Sequence, residues 1–159
     1  MIRNHASLLK PGGWIQLVEC EWIDHGHPVD VAKCPLIAKM LRLLEWTISN
    51  LGGDTFVAYR LENLLKDAGF QHVQKTQFDV GYGALAKEEQ WRRPSAEIWV
   101  DVFTALAPKI PEGGIPGVAR DAEEFDEFLN ELPGEMIKWG YQPKINFVIG
   151  QKPEKDVEA

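Results

Sequence analysis

The stretch Glu19-Cys20-Glu21-Trp22 closes the apolar run Trp14-Ile15-Gln16-Leu17-Val18 with two carboxylates, a thiol and an indole. In an open parallel sheet, ligands sit beyond the carboxyl ends of the strands, so these residues are the ones best placed to face a bound molecule. Glu19 and Glu21 would be polar partners and Trp22 a flat packing surface. The plainer account leaves both carboxylates in solvent and lays Trp22 over the helix that starts near Pro35. Further on, Asp24-His25-Gly26-His27 offers two histidines but no specified third ligand, so no metal site is assigned. Gly81-Tyr82-Gly83 follows a strand yet lacks the third glycine and the later acidic residue of a dinucleotide fingerprint, and it reads as a turn with Tyr82 near a pocket. Trp91, Arg92, Trp99 and Phe103 form an aromatic group around a helix start, for which packing of that helix on the sheet is the simpler account. The acidic run Glu123, Glu124, Asp126 and Glu127 reads as a solvated helix face, favourably close to a helix N-terminus.

The elements that must position these residues can be taken in chain order. Ile2 to Leu9 suits the end of an amphipathic helix. Pro11-Gly12-Gly13 makes a sharp turn, because proline cannot continue a helix and glycine tolerates positive φ. Trp14 to Val18 is a short buried strand, and Glu19 to Pro28 is expected to be a loop leaving it. Leu36, Ile37, Met40, Leu43, Leu44, Thr47 and Ile48 recur at helical spacing, which predicts a helix from Pro35 to Leu51 stopped by Gly52-Gly53. A second helix is expected over Thr55 to Ala68, capped by Asp54 and ended by Gly69. His72 to Val80 alternates as a strand, with Thr76, Phe78 and Val80 on one parity. A short helical piece is predicted near Lys87 to Trp91, then a helix from Ser95 to Ala107 with Ser95 as its cap. After the Pro- and Gly-rich segment from Pro108 to Gly117, Asp121 caps a helix that Pro133-Gly134 should kink or interrupt before Trp139. Lys144 to Gly150 is a last apolar strand. Three strands separated by helices indicate an α/β fold.

Composition narrows the function. With 159 residues, one domain with a real core is expected; 45% hydrophobic and 26% charged residues are ordinary for a globular chain. The formal charge of −7 argues against a nucleic-acid surface, which needs clustered Lys and Arg. Cys20 and Cys34 are too few for a disulfide framework and lack metal spacing, so reduced thiols are expected. Neither a signal pattern nor a membrane-length apolar run is read, and the expected location is the cytoplasm or the nucleus.

Three motifs, in order, carry a resemblance to a known family. Leu8-Leu9-Lys10-Pro11-Gly12-Gly13 resembles the LKPGG turn into the fifth strand of class I S-adenosylmethionine-dependent methyltransferases, and the Trp14-Ile15-Gln16 that follows resembles the fungal secondary-metabolite group, LaeA-like and mycotoxin-pathway enzymes. Leu64-Leu65-Lys66-Asp67-Ala68-Gly69-Phe70 with His72-Val73 is similar to that family's junction into the sixth strand. Ile149-Gly150-Gln151-Lys152-Pro153 resembles the GxKP terminus of the same fungal group. The resemblance covers nearly the whole chain but only the second half of the family's domain. It implies that residues 1–153 are the C-terminal part of a methyltransferase domain and 154–159 a charged tail.

The implied fold is a partial Rossmann-like sheet in the order 5-7-6, the last strand inserted antiparallel between the other two. In that setting Glu19, Glu21, Trp22, Tyr82 and Trp91 would bind the substrate, a small-molecule acceptor. The family's cofactor is S-adenosylmethionine, held by a GxGxG turn and an acidic residue that this sequence does not show. No cofactor-binding or catalytic residue is therefore assigned, and the chain alone is expected neither to bind the cofactor nor to turn over. The strand at Trp14 to Val18 would be left with an open edge, a template for pairing or self-association. The alternative function is a non-catalytic binding or dimerisation module derived from a methyltransferase. A weaker one is a small ligand-binding or isomerase-type protein that reuses the acceptor pocket.

Overall fold

The computed structural model describes residues 2–24, 29–105 and 110–154. The elements are α1 (Ile2–Leu8), β1 (Trp14–Glu21), α2 (Pro35–Asn50), α3 (Val57–Asp67), β2 (Gln71–Asp79), α4 (Arg92–Thr104), α5 (Ala122–Trp139) and β3 (Lys144–Gln151), with single 3₁₀ turns at Gly83–Leu85 and Glu89–Trp91. They form two compact units: residues 1–21, 56–78 and 144–159, and residues 22–55 and 79–143. The expected α/β class holds.

The first unit is a three-stranded sheet in the order β1-β3-β2, with α3 packed on it. β3 runs antiparallel to β1 in a register that pairs Trp14 with Gln151 and Glu21 with Lys144. Strand β1 therefore continues through Glu19, Cys20 and Glu21, where a loop was expected. Leu61 and Leu65 of α3, Phe70 and Val148 form the core, with Ile15, Leu17 and Val73 against it.

The three sequence motifs converge in this unit. The turn before β1 is tied to the end of β3, Gly12 N–H donating to the Lys152 carbonyl at 3.1 Å and Lys152 N–H to the Gly13 carbonyl at 2.8 Å. Lys152 Nζ also reaches the Leu9 carbonyl at 3.2 Å. Helix α3 ends where Gly69 adopts φ +84°, and the Phe70 N–H returns to the Leu65 carbonyl at 3.1 Å, a Schellman closure. That closure presses Leu65 and Phe70 onto Gly150, where an added Cβ would lie 3.3 and 3.2 Å from them.

The second unit is helical. Its core joins Ile37, Met40 and Leu43 of α2, Ala96, Trp99 and Phe103 of α4, and Phe125, Leu129, Leu132 and Met136 of α5. The N-cap residue of α2, Cys34, supplies no side-chain cap. Glu135 of α5 does so instead, accepting from the Ile37 N–H at 2.7 Å. Asp121 caps α5 as expected, accepting from the Glu124 N–H at 2.9 Å.

Three local expectations are corrected. Helix α5 runs without a break through Pro133. An interior proline costs about 3 kcal/mol, but Leu129, Leu132 and Met136, all buried, hold both sides of it to one core. Helix α4 begins at Arg92, so Ser95 lies inside its first turns rather than capping it. Ser95 Oγ accepts from the Gly83 N–H at 3.0 Å and donates to the Arg92 carbonyl. Helix α3 starts at Val57, two residues later than expected, with Phe56 as its N-cap residue, whose side chain makes no cap hydrogen bond. The expected helical residues Leu106 and Ala107, the His25-Gly26-His27 pattern and the tail from Lys155 lie outside the described residues.

Candidate functional site

The carboxyl end of β1 carries the most developed polar arrangement of the first unit. Glu21 is buried, unlike the solvated carboxylate of the plainer account. Its Oε1 accepts from Asn146 Nδ2 at 2.7 Å, Gln77 Nε2 at 3.0 Å and Lys75 Nζ at 3.2 Å. Asn146, fully buried on β3, also donates to the Ala58 carbonyl at 3.0 Å and accepts from Gln77 Nε2 at 2.9 Å. All three strands thus converge on one carboxylate oxygen. An ionised group taken out of water survives only when paired and hydrogen-bonded, and these donors meet that condition. Among the described residues no donor reaches Oε2, so that oxygen keeps its capacity to accept an N–H or O–H from outside.

Beside it, the Cys20 thiol is pushed up to about 12, first by burial and then by the charges of Glu19 and Glu21. It is a poor nucleophile at neutral pH. Both cysteines are free thiols.

The second unit holds an aromatic cluster centred on Trp99. Trp22, Tyr82 and Tyr141 meet its ring edge-on with centroids 5.5, 5.3 and 5.8 Å away, and Phe103 stacks at 5.7 Å. Two constraints fix it. Tyr82 and Tyr141 exchange backbone hydrogen bonds at 2.8 and 3.1 Å, and the Tyr141 hydroxyl donates to the Trp22 carbonyl. Trp99 Nε1 is buried without a hydrogen-bond partner among the described residues. Of the sequence-derived residues, Trp22 and Tyr82 belong to this cluster and Glu19 and Glu21 to β1. Trp91 stands 57% exposed at the start of α4.

Sequence reasoning missed Asn146, Gln77 and Lys75. Asn146 did leave a signal, as an amide inside the apolar run Ile145-Asn146-Phe147-Val148-Ile149. The other two sit on a strand whose polar residues look solvent-facing, and only the sheet order brings them to Glu21.

The glycines of Gly81-Tyr82-Gly83 are not a cradle for a cofactor. A Cβ on Gly81 would lie 1.7 Å from the Leu85 carbonyl oxygen, and one on Gly83 2.0 Å from that of Met136. Protein backbone already fills the space these glycines open. Gly81 and Gly83 therefore do not fit the methionine-binding turn of a methyl donor.

With this geometry in view, no family model matches the chain, whereas individual relatives do. It is similar to the methyltransferase psoC of Aspergillus fumigatus, 30% identical over 155 residues that make up 96% of this chain and 52% of the relative. It is also similar to the N-methyltransferase sirN of Leptosphaeria maculans, 21% identical over 91% of this chain and 53% of the relative. A third is the N-methyltransferase tcpN of Claviceps purpurea, 23% identical over 95% of this chain and 52% of the relative. The chain spans about half the length of the curated relatives it matches.

Proposed function

We propose that this chain is the C-terminal part of a class I S-adenosylmethionine-dependent methyltransferase of the fungal secondary-metabolite, LaeA-like group, which acts on a small-molecule acceptor when complete and is inert alone. The similarity of 96% of the chain to about half of the Aspergillus methyltransferase carries this reading. The sheet order supports it, because β1-β3-β2 then corresponds to strands 5-7-6, with the last strand inserted antiparallel beside the fifth. Glu19, Glu21, Trp22, Tyr82 and Trp91 would contribute to the acceptor pocket. Two of the relatives are named N-methyltransferases, so the proposed acceptor atom is nitrogen. The best-built of these residues is Glu21, whose Oε2 suits an N–H donor. Two free thiols fit a protein of the cytoplasm or nucleus.

A second reading, a methyltransferase-derived binding or dimerisation module, is favoured by one observation: β1 lies at a sheet edge with Trp14 and Val18 half exposed. Calorimetric titration with S-adenosylmethionine, with the mass in solution measured by light scattering, tests both. The expected result is no saturable heat. One-to-one binding at micromolar concentration would refute the absence of a donor site, and a concentration-independent dimer without binding would favour the module.

A further inference from the structure

Helix α4 carries two separate apolar faces. Ala96, Trp99 and Phe103 are buried in the core of the second unit. On another side Ile98 and Val102 are each 50% exposed, and Pro94 is exposed one turn before them. Trp91 and Ala105, which flank the helix in helical backbone conformation, extend the row at either end and are also exposed. At 3.6 residues per turn, these five positions fall within about 80° of the helix circumference. The core of the unit is built from the other face, so this stripe adds nothing to it. An exposed apolar patch of this kind marks an association surface.

The order of residues along the stripe fits it to a copy of itself. Ile98 is its midpoint, with Trp91 and Ala105 equally far away in sequence. Laid antiparallel on a second α4 about Ile98, the large Trp91 faces the small Ala105 at both ends, and Pro94 faces Val102. Charge matches as well. A two-fold axis across such a pair brings the same flank of each helix together, and that flank carries Arg93, Glu97 and Asp101. Arg93 of each copy then comes within one turn of Asp101 of the other. A parallel pair would instead set Arg93 against Arg93 and Asp101 against Asp101. Within the chain Arg93 pairs with Glu97 at 3.6 Å, both exposed, and Asp101 has no ion pair among the described residues.

We propose that α4 is the interface of a two-fold symmetric, antiparallel homodimer, its occupant being the α4 of a second copy of this chain. The proposal is independent of the methyltransferase reading, and it puts self-association on α4 rather than on the edge of β1. Trp91, proposed above for the acceptor pocket, would stand at the rim of this interface. One helix pair buries less than the about 1,200 Å² of a standard interface, so the dimer is reversible and not permanent.

The test is sedimentation equilibrium of the full 159-residue chain over a range of concentrations. A monomer–dimer equilibrium is expected. Ile98→Lys should weaken it more than about tenfold, by placing two ammonium groups at the centre of the stripe. Asp101→Arg sets arginine against arginine at both symmetric contacts and should weaken it about tenfold. Arg93→Asp should do the same, and the double variant Arg93→Asp/Asp101→Arg should restore the native constant to within about threefold. In that double variant Glu97 exchanges its cation one turn before for one a turn after, so the helix itself loses little. All these positions are exposed, and circular dichroism should be unchanged throughout. Should Ile98→Lys disturb folding, the charge reversals still decide. A dimer indifferent to the reversals, or not restored by the double variant, overturns the proposal. So does a dimer that Val18→Lys dissolves, which would put the contact on the sheet. A monomer at every concentration overturns it in favour of an occupant from the part of the relatives that this chain does not match.

Discussion

Replacing Asn146 with leucine, a side chain of similar volume, should destabilise the first unit by about 2 kcal/mol. The substitution removes the Nδ2 donor 2.7 Å from the buried Glu21 carboxylate. A hydrogen bond to a charged group is worth about 1.5–3 kcal/mol. It also removes the acceptor for Gln77, which is exposed and can turn to water at a cost of about 0.5–1 kcal/mol. The Ala58 carbonyl lies in the first turn of α3 and loses little. Burial of the leucine side chain returns about 1–2 kcal/mol. Glu21→Met alone should cost about 1 kcal/mol, because Lys75 is free to turn outward and Asn146 keeps its bond to Ala58. Replacing both partners with apolar groups removes the unpaired charge as well as its donors, so the double variant should also cost about 1 kcal/mol, not the sum of about 3. Urea denaturation gives the three free energies, and hydrogen exchange at the β1 and β3 amides assigns them to this unit. Additivity within about 0.5 kcal/mol would show that Glu21 and Asn146 do not form one network.

Gly83→Ala and Gly69→Ala both place an L side chain at positive φ, +61° and +84°, but only the first meets backbone, with its Cβ 2.0 Å from the Met136 carbonyl oxygen. Thermal melts should show a loss of about 1–2 kcal/mol for Gly69→Ala and several for Gly83→Ala; equal losses would refute the close approach. Trp99→Phe should change stability by less than about 1 kcal/mol, since removal of the unpartnered Nε1 donor offsets the smaller ring, whereas Trp99→Ala should cost about 3–5 kcal/mol. A loss near that of alanine for Trp99→Phe would mean that the indole N–H has a partner. Glu124 is held below its ordinary value of 4.5, first by the Arg120 backbone N–H and then by the Arg120 side chain. A depressed carboxylate stabilises the fold above its unfolded pKa, and that contribution is lost as pH falls below 4.5 toward the lower folded value. Amide protection at the start of α5, taken relative to the intrinsic exchange rate at each pH, should therefore fall on acidification in the native chain and show a flatter profile in Glu124→Gln.

The parts of the fold set by local chemistry were legible in advance. The helical spacing of Ile37, Met40 and Leu43 gave α2 almost to the residue, and Asp121 caps α5 as its position predicts. The parts set by distant contacts were not. Pro133 reads as a break in isolation, and only the shared burial of Leu129, Leu132 and Met136 shows why the helix continues. Glu19 and Glu21 read as loop residues because charges rarely end a strand, but β3 pairs with both, and β3 and β2 supply the donors to Glu21. Glu21, Trp22 and Tyr82, singled out from their positions in the sequence, lie in the polar network and in the aromatic cluster. Trp99, taken as packing, proves to be the centre of the aromatic cluster.

The network around Glu21 and the order of the sheet are one fact. Asn146 lies on β3, and β3 lies between β1 and β2. From that central strand a single amide donates to Glu21 on one side and accepts from Gln77 on the other. Had the strands paired in chain order, β2 would be central and Asn146 would stand at an edge, about 10 Å from β1, a span that the longer Gln77 and Lys75 side chains cover in the observed order but that the short asparagine side chain does not. Glu21 would then be a buried carboxylate lacking its shortest donor, and the fold would lose a hydrogen bond worth about 1.5–3 kcal/mol. The amide inside an otherwise apolar strand therefore discriminates between sheet orders, which apolar residues at the same position could not do. It follows that Asn146→Leu should weaken the preference for the central placement of β3 as well as stability. Slower recovery of native β1–β3 amide protection on refolding, relative to an equally destabilising Val148→Ala in the same strand, is the expected sign. Equal recovery in the two variants would reduce Asn146 to one hydrogen bond among many.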